Sequence, residues 1–309
     1  MSDTSSLMMP SGTDTNCGYV ALIGAPNAGK STLVNKIVGS KVSIVTHKVQ
    51  TTRSLIRGIA IKDKNQVIFV DTPGIFAPKR RLDRAMVNTA WGGAKDADCI
   101  GLIVDARKGV NDQIEDLLDR LADIKLPKVL ILNKIDLVQR DTLLALAQQI
   151  NERVKFDETF MVSALNGDRT DDLLDYFAAH MPRGPWLYPE DMISDLPMRQ
   201  LASEITREKV FLRLHQELPY ASTVETEKWE QKEDGSVRIE QVIYVERDNQ
   251  KMIFLGKGGK SIKAISMAAR EELGELLGTK VHLFLFIKVR ARWVDDPERY
   301  REMGLEFPV

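Results

Sequence analysis

The chain is poor in the features that would settle a function at once. Its 309 residues include only two cysteines, Cys17 and Cys99. They lie far apart in sequence without metal-ligand spacing, which excludes a disulfide scaffold and a cysteine-based zinc site and points to a reducing compartment. Cys99 sits in an apolar run and is expected to be a small buried hydrophobe. No stretch approaches the roughly 20 apolar residues that a membrane span requires. The net charge is −1, so no global field draws the chain to nucleic acid, and any RNA site must be a local patch. Residues 1–16 lack the basic and apolar segments of a signal peptide and are expected to form a disordered leader. The last residues of the sequence, Glu306-Phe307-Pro308-Val309, do not match a prenylation box, and no prenyl anchor is expected.

What is present is more informative. Residues 24–31 read Gly-Ala-Pro-Asn-Ala-Gly-Lys-Ser, the eight-position phosphate-binding loop, whose inward backbone N–H groups hold phosphate oxygens. In such a loop Asn27, Ala28, Gly29, Lys30, Ser31 and Thr32 surround the phosphates, Lys30 reaches the terminal ones and the Ser31 hydroxyl sits on Mg²⁺. About a hundred residues later comes Asn133-Lys134-Ile135-Asp136. The Asp136 carboxylate can accept two hydrogen bonds from the N1–H and exocyclic amine of guanine, a donor pair that adenine lacks. The two motifs together imply a GTP site.

Three further elements fall in the order such a site needs. Asp71-Thr72-Pro73-Gly74 supplies an aspartate to hold Mg²⁺ through water and a glycine amide for the γ-phosphate. Thr51-Thr52-Arg53 lies where a loop could bring the Thr52 hydroxyl to Mg²⁺. Ser163-Ala164-Leu165 caps the base, while Asn133, Lys134 and Asp136 read it. Every motif is expected at the C-terminal end of a strand, where open α/β sheets bind ligands. Loops 42–54 and 75–88 are expected to be mobile.

The length suggests two domains. Residues 17–182 alternate strand and helix patterns and read as an α/β P-loop GTPase (G) domain, mostly parallel with one antiparallel strand. Proline-punctuated residues 183–197 read as a linker. Residues 198–309 read as an α+β domain with a C-terminal tail, helix 198–214 preceding strands 223–231 and 237–245, then helix 261–277 and strand 281–289. Gly256-Lys257-Gly258-Gly259 matches the GXXG loop of KH domains, which clamps about four nucleotides of single-stranded RNA. An ordinary glycine turn before a helix is the competing reading. Residues 198–309 hold 19 basic and 19 acidic residues, yet five basic and no acidic ones fall between Asn249 and Arg270. That local excess makes Gly256, Lys257, Gly258, Gly259, Lys260 and Lys263 the candidate RNA contacts. Ile253, Phe254 and Leu255, with Ile262, Ile265, Ala269 and Leu273, read as core.

The set of motifs, over nearly the whole chain, resembles the translational GTPases of the TrmE–Era type. The resemblance rests on residues 24–31, on Gln50-Thr51-Thr52-Arg53, on Asp71-Thr72-Pro73-Gly74 and on the C-terminal domain, which resembles a type II KH domain. It implies GTP hydrolysis to GDP and phosphate, with Asn27, Lys30, Thr52 and Gly74 as catalytic residues and Mg²⁺ as cofactor. In relatives the asparagine matching Asn27 holds a K⁺ ion beside the phosphates; the alternative is that Asn27 bonds only the loop's own backbone. Ile75 stands where Ras-like enzymes carry a water-orienting glutamine and cannot do that work, so slow intrinsic hydrolysis is expected. The resemblance further implies binding to the 3′ end of 16S ribosomal RNA, a role in 30S subunit assembly, and a cytoplasmic location with peripheral inner-membrane contact. A monomer is expected. Two rivals stand beside this reading: a tRNA-modifying GTPase, and a scaffold in which GTP is structural.

Overall fold

In the computed structural model, the described residues are 14–48, 51–76, 78, 80–215 and 217–307. Most of the expected leader lies outside them, as do Gln50 and part of each expected mobile loop. The chain divides into two units. The first takes in the stretch ending at Ser43, then Thr52–Asp195, and the stretch from Met303; the second takes in Ile44–Thr51 and Leu196–Glu302.

The first unit is built on a six-stranded sheet in the order β2-β3-β1-β4-β5-β6. Its strands are β1 (Asn16–Ile23), β2 (Ile56–Lys62), β3 (Asn65–Asp71), β4 (Cys99–Asp105), β5 (Lys128–Asn133) and β6 (Glu158–Val162). All pairings are parallel except that of β2 with β3. A parallel sheet is covered on both faces, so its inner strands carry continuous apolar runs rather than alternation. Every residue of β4 is buried, as are Val129–Asn133 of β5. Helices α1 (Lys30–Val38), α2 (Arg81–Lys95), α3 (Asp112–Ala122), α4 (Arg140–Arg153) and α5 (Thr170–His180) complete this unit. Glycine bounds α1 at both ends, Gly29 at φ 108° and Gly39 at φ 73°, left-handed conformations that glycine adopts without a Cβ clash.

Two stretches differ from the sequence reading. Asn16 is already in β1, and residues 81–88, assigned to a mobile loop, form the first half of α2. Residues 183–195, read as linker, strap the first unit. The buried Gln66 accepts from Leu187 N and Tyr188 N and donates to Tyr188 O at 2.8 Å. Trp186 Nε1 donates to Lys64 O at 3.1 Å. Ile59 N donates to Ile193 O and Arg57 pairs with Asp195 at 2.6 Å, so the strap occupies the otherwise open edge of β2.

The second unit contains α6 (Met198–Arg213), β7 (Ser222–Gln231), β8 (Val237–Val245), α7 (Asp248–Leu255), α8 (Lys260–Leu277), β9 (Val281–Val289) and α9 (Pro297–Glu302). Its sheet has the order β7-β8-β9, with β7–β8 antiparallel around the Asp234-Gly235 turn and β8–β9 parallel. A parallel neighbour needs a crossover, and α7 and α8 supply it. Leu201, Ala202 and Ile205 of α6, with Ala269 and Leu273 of α8, pack on Ile239 and Leu283. Phe254 and Ile265 are buried as expected, but Ile253 is 50% exposed, because α7 buries only its Phe254 side against the sheet. Residues 44–51 group with this unit: Val45 N donates to Glu208 Oε1 at 2.8 Å, and Arg207 donates to Thr51 O at 2.6 Å.

Candidate functional site

The strand order carries the phosphate loop, Asp71, Asp105, Asn133 and Ser163 to the C-terminal ends of β1, β3, β4, β5 and β6. At the phosphate loop, α1 begins without a side-chain cap, so its first N–H groups and its positive dipole end are available to an anion. Lys30 is buried and donates to Gly24 O at 3.0 Å and Ala25 O at 3.2 Å. Burial pushes its ammonium down to about 8, against the opposing pull of Asp71. Ala28 is buried, and Asn27 and Thr32 are half-buried. Gly74 lies beside the loop, where a Cβ would meet Pro26 Cα at 2.9 Å.

Four hydroxyl and carboxyl groups converge below the loop. Ser31 Oγ donates to Asp71 Oδ2 at 2.6 Å, and Ser43 Oγ donates to the same oxygen at 2.7 Å. Since Ser31 spends its one proton on Asp71, Thr52 Oγ1, 3.0 Å away, donates to Ser31. Burial pushes the Asp71 carboxyl up, and the hydroxyl donors and Lys30 oppose this. Asp71 Oδ1 is buried with no hydrogen-bond partner among the described residues. An all-oxygen donor set with one unsatisfied carboxylate oxygen suits a hard divalent cation. Ser43 went unnoticed in the sequence, since a lone serine outside any motif gives no signal.

The base-side residues take more differentiated roles than the motif suggests. Asn133 is 2% exposed. Its amide donates to Ala28 O at 2.8 Å, while Oδ1 accepts from Lys134 N at 2.8 Å and Ala164 N at 3.0 Å. These bonds use the side chain to tie the phosphate loop to the loop after β6, so it holds the site together, with one amide N–H left over. Gly29 makes room for it, since a Cβ there would lie 2.1 Å from Asn133 Nδ2. Lys134, in a left-handed conformation at φ 68°, donates to Asn27 O at 2.6 Å and Asp105 Oδ2 at 2.7 Å. Asp105, absent from the motif reading, also receives Arg107 at 2.7 Å. Burial would raise its carboxyl, but Arg107 and Lys134 outweigh that and hold it at about 2. Asp136 remains exposed in a short 3₁₀ turn, Ile135–Leu137. Ser163 is fully buried, and Leu165 is 77% exposed. Ile75 is 8% exposed and packs in the sheet core with Ala25 and Val87.

In the second unit the Gly256–Gly259 loop joins α7 to α8. Gly256, Gly258 and Gly259 have φ of 70°, 62° and 73°, conformations that strain any residue with a Cβ. Like α1, α8 starts at a left-handed glycine with no side-chain cap and no acid in its first turn. Lys257, Lys260 and Lys263 are exposed around it, as are the apolar Met252 and Ile253.

Comparison with known proteins follows the same two-part division. Residues 19–134 match the family described as 50S ribosome-binding GTPase, and residues 217–294 match the KH domain family. A curated relative, GTPase Era of Sinorhizobium medicae, is 66% identical over 99% of this chain and 97% of its own length. Among solved structures, Era in complex with MgGDPNP and nucleotides 1506–1542 of 16S ribosomal RNA superposes with a TM-score of 0.88 at 37% identity, covering 94% of this chain and 99% of that one. A tyrosine-to-alanine variant of Aquifex aeolicus Era bound to GDP·AlF4⁻ matches with the same score, identity and coverage.

Proposed function

This chain belongs to the Era family of GTPases, and from that membership and the site's geometry we propose that it is a Mg²⁺-dependent, GTP-driven switch that binds the 3′ end of 16S ribosomal RNA and assists assembly of the 30S subunit in the cytoplasm. The observation that carries the nucleotide half is the Asn133 clasp, which joins the phosphate loop to the base-side loop and leaves Asp136 exposed for guanine. The RNA half is supported by the left-handed glycines and exposed lysines between α7 and α8.

On this reading GTP lies with its phosphates on the amides of residues 27–32, and Lys30 places its charge against the terminal phosphates. Ser31, Thr52 and Asp71, the last through water, would hold Mg²⁺, whose positive charge would serve the terminal phosphates when bound. Gly74 offers its N–H to the γ-phosphate. Ile75, buried in the core, orients no water, so hydrolysis proceeds slowly unless further positive charge reaches the phosphates. Asn27 is the residue proposed to hold K⁺ there.

Phosphate release with and without a 16S 3′-end oligoribonucleotide, in K⁺ and in Na⁺ buffers, tests the reading. GTP turnover in the full chain and tighter RNA binding with a non-hydrolysable GTP analogue than with GDP are expected. Nucleotide bound without turnover in any condition would leave a scaffold in place of a switch. Equal rates in the two salts would remove K⁺ alone.

A further inference from the structure

Along β9 the residues alternate between two environments. Leu283, Leu285 and Ile287 pack in the clusters that contain Ala269 and Leu273, or Phe254 and Ile265. Phe284 and Phe286 therefore lie on the opposite face of the sheet, where they are 44% and 47% exposed. On the adjacent strand Tyr244 is covered by the Arg299 guanidinium, 4.5 Å from its ring. The two phenylalanines stay open to solvent over nearly half their surface, and β9 is an outer strand of its sheet.

Basic residues cluster along β9 itself. From Val281 to Arg292 there are three basic residues (Lys288, Arg290 and Arg292) and no acid. The Arg238 guanidinium lies over one face of the Phe284 ring, 4.8 Å from its centre, as Arg299 does over Tyr244. Acids on this face are Glu240, beside Phe284 on β8, and Glu225, Glu227 and Glu230 on the far strand β7, where Lys228 pairs with Glu230. Lys288 pairs with Glu227, Arg238 with Glu240 and Arg290 with Asp296. All three basic partners are about half-exposed or close to it, and such ion pairs yield readily to a phosphate.

We propose that Phe284 and Phe286 form a second contact surface for single-stranded RNA, stacking two bases outside the segment gripped at Gly256–Gly259. The proposal rests on the RNA-binding reading above and extends it from the helix side of β9 to its outer face. Exposed aromatic rings beside arginine hold single strands with little regard to sequence, since every base presents a π face. Rings two residues apart on a strand stand about 6.6 Å from each other, which leaves room for a base on Phe286 and for one on Phe284 opposite or in place of the Arg238 guanidinium. Two rings are too small an apolar area for a stable protein interface. Glu240, beside Phe284, is paired with Arg238, and the acids further out on β7 disfavour phosphate beyond the β9 edge.

Fluorescently labelled oligoribonucleotides of about five and about twelve nucleotides, both drawn from the 16S 3′ end, separate the two surfaces. In the full chain, Phe284→Ala/Phe286→Ala is expected to weaken the longer oligonucleotide at least about tenfold and the shorter less than about twofold. Phe284→Trp/Phe286→Trp should keep most of the affinity, because another aromatic ring can stack. Gly258→Asp is expected to weaken both oligonucleotides. Unchanged affinity of the double alanine variant for the longer strand would overturn the proposal and leave this face to a protein strand. Equal loss for both lengths would also overturn it, by making the rings part of the first site. If Gly258→Asp leaves both affinities untouched, the loop reading fails instead, whatever the phenylalanines do.

Discussion

The Ser43 hydroxyl donates to Asp71 Oδ2 across 2.7 Å, beside the bond from Ser31 to the same oxygen. Ser43 is itself fixed by Asn35, whose Oδ1 accepts from Val42 N and Ser43 N and whose amide donates to Ser43 O at 2.7 Å. A single asparagine thus orients the backbone that aims a hydroxyl at the buried carboxylate.

Removing that hydroxyl should loosen the cation site without emptying the phosphate loop. A hydrogen bond to a charged group contributes about 1.5–3 kcal/mol, and Ser31 retains its own bond to the same oxygen. Ser43→Ala is therefore expected to raise the Mg²⁺ concentration that slows GDP release by about tenfold, the low end of that range. The check is the off-rate of a fluorescent GDP analogue followed across a Mg²⁺ titration. An unchanged midpoint would show that Ser31 alone orients Asp71.

Asn133 lends itself to a different experiment, since it links two loops of the site. Asn133→Ala leaves Ala28 O, Lys134 N and Ala164 N without their partner in a site that is almost fully buried. A buried polar group stripped of its bond costs roughly 1–3 kcal/mol, partly relieved by water. The variant should lose about 2–4 kcal/mol of stability in urea unfolding, and its affinity for GTP and GDP should fall together. Loss of guanine over adenine discrimination at full stability would instead make Asn133 a base reader.

That contrast marks how far the sequence could be read. The motifs located Asp71 and Asn133 at strand ends, and Lys30 and Ser31 at the start of α1, because glycine and charge patterns there are local. They did not show that Asp136 is exposed while Asn133 is buried and also braces the loops, since that difference lies in bonds to Ala28 and Ala164 from distant loops. Ser43 and Asp105 had no motif to announce them. Helix α7 spans eight residues and buries only Phe254, too short for a 3.6-residue period to show. The strap at 183–195 reads as linker because its prolines mask an order imposed by Gln66 and Lys64 from β3 and the turn before it.

Asp105 makes the acid limb of stability informative. Its folded carboxyl is held at about 2, below the roughly 3.9 of an unfolded aspartate. A depressed carboxylate contributes stability that is complete above the unfolded value and disappears as pH falls through the folded one. The window lies between about pH 5 and pH 2, and the contribution is on the order of 2 kcal/mol at neutral pH. Asp105→Asn should lower stability at pH 7 by about that much and flatten the fall below pH 5 in urea titrations. Parallel curves for the two proteins would place the acid sensitivity elsewhere.

Lys30 governs the alkaline side, through binding rather than folding. With its ammonium lowered to about 8 by burial, the side chain is largely neutral in nucleotide-free protein above that pH. Phosphate oxygens favour the charged form, so nucleotide must draw a proton onto Lys30 when it binds under alkaline conditions. Near pH 8.5 the uptake should be about 0.7 proton per GDP bound, against about 0.1 near pH 7. Calorimetric titrations in two buffers of different ionisation enthalpy measure this directly. The sign is fixed: affinity declines as pH rises past about 8, and it does so because the free protein, not the complex, has lost the charge. Equal proton uptake at both pH values would mean that the lysine is already fully charged without nucleotide, and that burial in the loop does not depress it.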